Sequence, residues 1–395
     1  MKLKRIVAAA LLPGLTAACL AMPAFAADKL KIGFISTLSG PNSALGVDIR
    51  DAFNLALKMK DGKLGGLPVE MIFADDQLNP DQGKLAADRM VKRDHVDLVT
   101  GVVFSNVLLA IAPAILESKT LLISPNAGPS QLAGEQCSRM FFNVAWQNDV
   151  NNGAPGLLAM QKGIKDVYVV APNYQAGRDA INGFKAFYKG KIVDEVYTKL
   201  GQIDYSAELA QIRAAKPSAV FYFLPGGMGV NFIKQFVGAG LSKDTTLITA
   251  GVSADEDVIK AVGDPMLGLF NTAHWSHDLD NDANRKFVVA FEKEYGRLPT
   301  VYAAQGYDTA LLIDAAVRDV KGKVADTEGM IKALRAKRFA SVRGNFKWDR
   351  NNFPIQDWYL RVVGRDSKGR ITNKNLGIVA RDLGDPHAAK CGSKW

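Results

Sequence analysis

The chain has 395 residues, of which 48% are apolar, and carries a formal charge of +9, enough for two globular domains with buried cores. Three of the positive charges, Lys2, Lys4 and Arg5, crowd the extreme N-terminus, and no run of five like charges occurs anywhere. That excludes a nucleic-acid-binding arm and leaves a scattered, solvated surface that is mildly basic.

The N-terminus reads as an export signal. The basic stretch MKLKR precedes the apolar run IVAAALLPGLTAACLAMPAFA, which ends in Ala24-Phe25-Ala26, a small-x-small cleavage pattern. Residues 1–26 are expected to be removed and the mature protein to be periplasmic. Pro13 and Pro23 interrupt the run and argue against a retained anchor, and Thr16 three residues before Cys19 argues against lipidation. No later stretch approaches the ~18–20 apolar residues of a membrane span.

The body alternates strand and helix patterns. Lys29–Thr37 is a predicted strand; Ala44–Met59 a helix with Ile49, Ala52, Phe53, Ala56 and Leu57 at helical spacing; Pro68–Ala74 a strand; Asp81–Lys92 a helix; Val96–Val103 a strand; Ser105–Glu117 a helix; Thr120–Ser124 a strand. A second series runs strand Asp166–Val170, helix Gly177–Tyr188, strand Lys191–Tyr197, helix Ala207–Ala215, strand Ala219–Leu224, helix Val230–Gly238, strand Thr245–Thr249. Apolar strands separated by helices imply parallel sheets covered on both faces, hence an α/β protein of two doubly wound, Rossmann-like lobes with ligands beyond the carboxyl ends of the strands. The last third differs: helices 283–295, 302–320 and 326–336 follow one another, then strands 345–348 and 358–363.

Signatures of catalysis are missing. There is no G-x-S-x-G elbow, phosphate loop or dinucleotide fingerprint, so no enzyme activity and no cofactor is expected. Gly226-Gly227-Met228-Gly229 after a strand reads as an ordinary strand-to-helix turn, and His274 and His277 lie in a strand-to-loop segment rather than on a metal-binding helix face, so no metal site is expected.

Three stretches, in order, carry a family resemblance: Ile32–Pro41 (IGFISTLSGP), Gly101–Pro125 (GVVFSNVLLAIAPAILESKTLLISP) and Thr300–Asp308 (TVYAAQGYD). Together they resemble the leucine/isoleucine/valine-type periplasmic receptors, the branched-chain amino-acid-binding family of ABC importers. The resemblance implies a type I two-lobed fold with a three-strand hinge: residues 27–145 plus 277–350 in lobe one, 146–276 plus 351–395 in lobe two. It also implies a monomer that binds a small carboxylate and hands it to permease subunits, with no nucleic-acid partner. A sensory module of the same fold is the alternative from another class.

The resemblance places Ser105 on the ligand carboxylate, although a helix N-cap is its plain structural role. Asn126, Ala127 and Gly128 match the head-group loop, where turn chemistry alone also explains them, and Tyr174 matches a cleft tyrosine of lobe two. Leu45 stands where an aromatic residue is common, Gly128 where a hydroxyl residue is common. The segment Ala250-Gly251-Val252-Ser253 lacks the acid that receives an α-ammonium, and Asp255 and Glu256 follow at a predicted helix start. A buried ammonium without a carboxylate would cost several kcal/mol. Arg178, four residues after Tyr174, reads either as a surface arginine or as a carboxylate clamp. Phe104, Tyr174, His274, Trp275 and Gln305, with Gly226 and Gly251 at strand ends, complete the candidate cleft. This cast suits an aromatic acid of the benzoate or hydroxycinnamate kind, with a branched-chain or other amino acid as the alternative. Cys137 and Cys391, the two cysteines beyond the leader, are expected to pair in an oxidising compartment.

Overall fold

The computed structural model describes residues 29–344 and 346–392; the expected leader lies outside them. Six strands form the first sheet: β1 (Leu30–Ser36), β2 (Lys63–Leu64), β3 (Leu67–Asp75), β4 (Leu98–Thr100), β5 (Leu121–Ser124) and β6 (Phe141–Asn143), in the order β2-β3-β1-β4-β5-β6. All neighbours are parallel except the short β2, which hairpins onto β3. The second sheet contains β7 (Asp166–Pro172), β8 (Lys191–Thr198), β9 (Ala219–Tyr222), β10 (Thr246–Ala250), β11 (Phe270–Ala273), β12 (Lys347–Trp348), β13 (Pro354–Arg365) and β14 (Ile371–Leu383). Its order is β12-β13-β11-β10-β9-β7-β8, with β14 added on β13. Strands β7 to β11 are parallel, and β12 to β14 join antiparallel.

Strands β4, β5, β6 and β9 are buried along their whole length, as strands covered on both faces must be. Helix Ser43–Lys58 buries Leu45, Ile49, Ala52, Phe53 and Ala56 and packs along helix Val301–Asp319. The late helices that lacked strands of their own therefore cover the first sheet. Strand order reverses between β1 and β4 in one sheet and between β7 and β9 in the other, which opens a crevice at the carboxyl edge of each.

The chain passes between the lobes at 144–147, 274–281 and 343–353. Each passage contributes an aromatic ring to one cluster or lies beside it: His274 packs edge-on to Trp146 with ring centroids 5.1 Å apart and lies 5.9 Å from Trp358 of β13. Buried Arg343 ties the passages together. It donates to the Val144 carbonyl, to the Ala145 carbonyl at 3.4 Å and to Gln356 Oε1 at 2.7 Å, and pairs with Asp308 at 3.2 Å.

Among the elements that escape the sequence pattern, two show why. Helix Asn148–Gln161 starts with Asn148, Asp149, Asn151 and Asn152, all buried, so it shows no apolar stripe. Strand β14 has a mostly exposed outer edge, and its polar composition hides its pairing. Cys137 and Cys391 form a disulfide, with Cα atoms 5.6 Å apart.

Candidate functional site

Between the two carboxyl edges lies a small cavity lined from both lobes. From the first sheet come Leu45 after β1, Val103, Phe104 and Ser105 after β4, and Asn126 and Ala127 after β5. From the second come Tyr174 and Ala176 after β7, Phe223 and Pro225 after β9, and Val252 after β10. Trp146 and Asn148 enter from the first passage, and Tyr302 from the start of the long late helix. Phe104 and Tyr174 face each other across the cleft with ring centroids 6.2 Å apart. Among the described residues, no acidic or basic side chain lines the cavity.

Its polarity comes from backbone groups, hydroxyls and the amides of Asn126 and Asn148. Helix Ser105–Glu117 has Phe104, not Ser105, at its N-cap and no side-chain cap; its first internal bond runs from Leu108 N–H to the Phe104 carbonyl at 3.0 Å. The N–H groups of Ser105, Asn106 and Val107 thus have no partner within the helix. The same holds across the cleft, where helix Gln175–Phe187 starts at an uncapped Tyr174 and its first bond is Arg178 N–H to the Tyr174 carbonyl at 3.1 Å. Two helix N-termini, one per lobe, therefore bring positive dipole ends to one small apolar chamber. Burial pushes the Tyr174 phenol well above its ordinary range, so it stays a neutral donor.

The lobes touch directly around this chamber. Buried Asp179 of the second lobe accepts from Ser130 Oγ at 2.8 Å and Ser130 N–H at 3.2 Å in the first, and from Gln175 Nε2 at 2.8 Å. Asn148 Nδ2 reaches both Asp179 Oδ2 at 3.0 Å and Ser105 Oγ at 3.2 Å. Burial, reinforced by Asp149, raises the Asp179 carboxyl above its usual range, opposed by donors from Asn148, Ser130 and Gln175. Tyr302 Oη approaches the Val252 carbonyl at 3.4 Å.

Of the residues singled out by sequence, Leu45, Phe104, Ser105, Asn126, Ala127 and Tyr174 come together on the cavity. The others fall elsewhere. Arg178 is exposed and bonds to Asn173 Oδ1 at 3.1 Å and Gln175 Oε1 at 3.3 Å; on the solvent face of its helix it is the surface arginine, not a clamp. His274 and Gln305 lie behind the chamber in the hinge region, beside Arg343 and Asp308, and Trp275 is core, donating to Asn284 Oδ1 at 2.7 Å. Burial and the charges of Arg343 and Arg361 depress the His274 pKa, which keeps its ring neutral among the hinge aromatics. Gly128 packs so close to the Trp146 carbonyl that any side chain would collide with it; its lack of a hydroxyl is a backbone requirement. Gly251 sits against the Arg361 guanidinium, and Gly226, at φ +62°, faces Asn42 and Leu45 of the other lobe without lining the cavity.

Asp255 is spent elsewhere too. It accepts from Val301 N–H, at the N-terminus of the long helix of the first lobe, at 2.5 Å and pairs with buried Arg361 at 3.3 Å. Asn148, Phe223, Pro225, Val252 and Tyr302 were not singled out as site residues, although Phe223 and Pro225 follow a strand and Val252 and Tyr302 fall in stretches that the resemblance marks.

The model of the periplasmic binding protein family matches residues 29–369. The chain belongs to the periplasmic binding protein family. A Leu/Ile/Val-binding protein homologue of Brucella melitensis is 29% identical over 381 residues, covering 93% of this chain and 95% of that one. Among solved structures, this periplasmic binding protein is similar to a solute-binding protein of an ABC transporter from R. palustris in complex with benzoate, with 31% identity, a TM-score of 0.87 and coverage of 92% and 99% of the two chains. A second, from Rhodopseudomonas palustris BisB5 in complex with 3,4-dihydroxybenzoic acid, shows 30% identity and a TM-score of 0.85, covering 91% and 99%. The fold is thus the two-lobed α/β receptor fold, and the protein is a periplasmic solute-binding component of an ABC transporter rather than an enzyme.

Proposed function

We propose that this receptor captures a small aromatic carboxylate, of the benzoate or hydroxycinnamate kind, and presents it to permease subunits of its importer. The carrying observation is the composition of the inter-lobe cavity: apolar and aromatic walls, two uncapped helix N-termini, Ser105 and Tyr174 as hydroxyl donors, and no acidic side chain. An anionic group suits free N–H groups and positive dipole ends. An α-ammonium would lie in an apolar chamber with no carboxylate partner, at a cost of several kcal/mol, because Asp255 is committed to Val301 and Arg361. Phe104, Tyr174 and Phe223 offer faces to a ring, each aromatic contact adding about 0.5–1.5 kcal/mol beyond area burial. The solved relatives bound to benzoate and 3,4-dihydroxybenzoic acid support the same reading.

Calorimetric titration tests it. Benzoate or 4-hydroxybenzoate should bind at a 1:1 ratio, with leucine and valine showing no heat of binding. Tight binding of leucine or valine with none of the aromatic acids would overturn the reading in favour of an amino-acid receptor.

A further inference from the structure

The contacts behind Ser105 bear on which ligands the cavity accepts, an inference that rests on the aromatic-carboxylate reading above. Asn148 presents its amide nitrogen to two acceptors at once, Ser105 Oγ at 3.2 Å and Asp179 Oδ2 at 3.0 Å. An amide NH₂ has two hydrogens, so both contacts are satisfied together. The amide cannot be turned round without setting its carbonyl oxygen against a carboxylate. Asp179 is in turn held by Ser130 Oγ, Ser130 N–H and Gln175 Nε2. The consequence reaches the cavity. Because Asn148 is a donor to it, Ser105 Oγ is an acceptor in that bond, and its single hydrogen is directed elsewhere. Ser105 lines the cavity at the free N-terminus of its helix.

We propose that Asp179 is a positioning residue which, through Asn148, fixes the Ser105 hydroxyl as a hydrogen-bond donor toward the ligand, and so selects carboxylates over neutral isosteres of the same shape. Ser105 belongs to the first lobe, while Asn148 and Asp179 belong to helices that pack together in the second. The polarity of the serine is therefore set when the lobes meet. An open receptor leaves the hydroxyl free to rotate, and closure turns it into a committed donor. Discrimination between an anionic and a neutral head group is then made at closure rather than at first encounter.

The probes are benzoate and benzamide, which share ring and shape but differ in charge and in the acceptor capacity of the head group. In the wild-type protein benzoate should bind at least tenfold more tightly. Asp179→Asn should weaken benzoate about tenfold and benzamide less than twofold, collapsing the ratio. On a Ser105→Ala background the same substitution should have no further effect on benzoate, since the residue acts through that hydroxyl. Asn148→Ala should reproduce the loss of discrimination and serves where Asp179→Asn lowers the unliganded melting temperature. Equal weakening of both probes, or the same loss with and without Ser105, would make Asp179 a structural bond only and overturn the proposal while leaving the aromatic-acid reading intact. A wild-type protein that binds neither probe but binds leucine would overturn that reading, and the positioning role with it.

Discussion

Arg178 and Ser105 show how one side chain's chemistry can mislead while another's holds. A guanidinium four residues from a cleft tyrosine is a reasonable carboxylate clamp on paper. In the folded chain it lies on the solvent side of its helix and bonds to Asn173 and Gln175, where exposed pairs contribute little. Arg178→Ala should therefore change affinity for an aromatic acid by less than twofold. Ser105→Ala and Tyr174→Phe, which each remove one cavity hydroxyl, should each cost about 1.5–3 kcal/mol, the range for a hydrogen bond to a charged group. Titration of the three variants side by side checks the ranking, and a larger loss at Arg178 than at Ser105 would contradict the assignment. The cavity residues that sequence did single out sit where β1, β4, β5 and β7 end, positions readable from apolar runs followed by turn or cap residues. Asn148 was invisible because it reaches the cavity from a helix adjoining a lobe passage, which no local pattern marks; Tyr302 lay inside the Thr300–Asp308 stretch but was not singled out as a site residue.

Most of the strands and helices were legible for the same reason: alternating apolar runs and helical stripes survive in sequence wherever an element is buried on the faces its period predicts. Helix Asn148–Gln161 fails that test. Its first turn is polar yet buried, and its contact with helix Gln175–Phe187 is a close approach at glycines on both helices, with the Phe187 ring seated on Gly153. Gly183 lies directly against the Asp149 backbone, leaving no room for a Cβ. Gly183→Ala should push the two helices apart and destabilise the protein by about 1–3 kcal/mol, the usual cost of overpacking, even though alanine is the better helix former. Urea denaturation measures this, and a stabilised variant would show the helices are free to part. Strand β14 was missed for a different reason: an outer-edge strand has only one neighbour to satisfy, so its outward residues carry no apolar signature.

The complete molecule carries a proton dependence that neither lobe has alone. Asp48 of the first lobe and Asp255 of the second are both buried where the lobes meet, and burial raises each carboxyl to about 6. Arg297 and Thr300 favour the charged form of Asp48, while Asp51 and Asp255 oppose it; Arg361 and the Val301 N–H favour charged Asp255, and Glu256 opposes it. Asp257, close to both, is also shifted upward by burial and by these two acids. A carboxyl wetted by lobe opening returns toward its ordinary value near ~4. The closed state thus binds protons more tightly than the open one, so its advantage is full below the ordinary value of ~4 and is lost progressively as the pH rises from there through about 6. Without ligand, small-angle scattering should give a smaller radius of gyration at pH 5.5 than at pH 8; an unchanged or larger value at pH 5.5 would rule the linkage out. The disulfide bears on the whole chain in another way. Cys137 must wait for a partner 254 residues downstream. The bond can close only once the chain has been made through Cys391, so a chain released earlier retains an unpaired Cys137 thiol, a chemical mark by which such copies can be told apart.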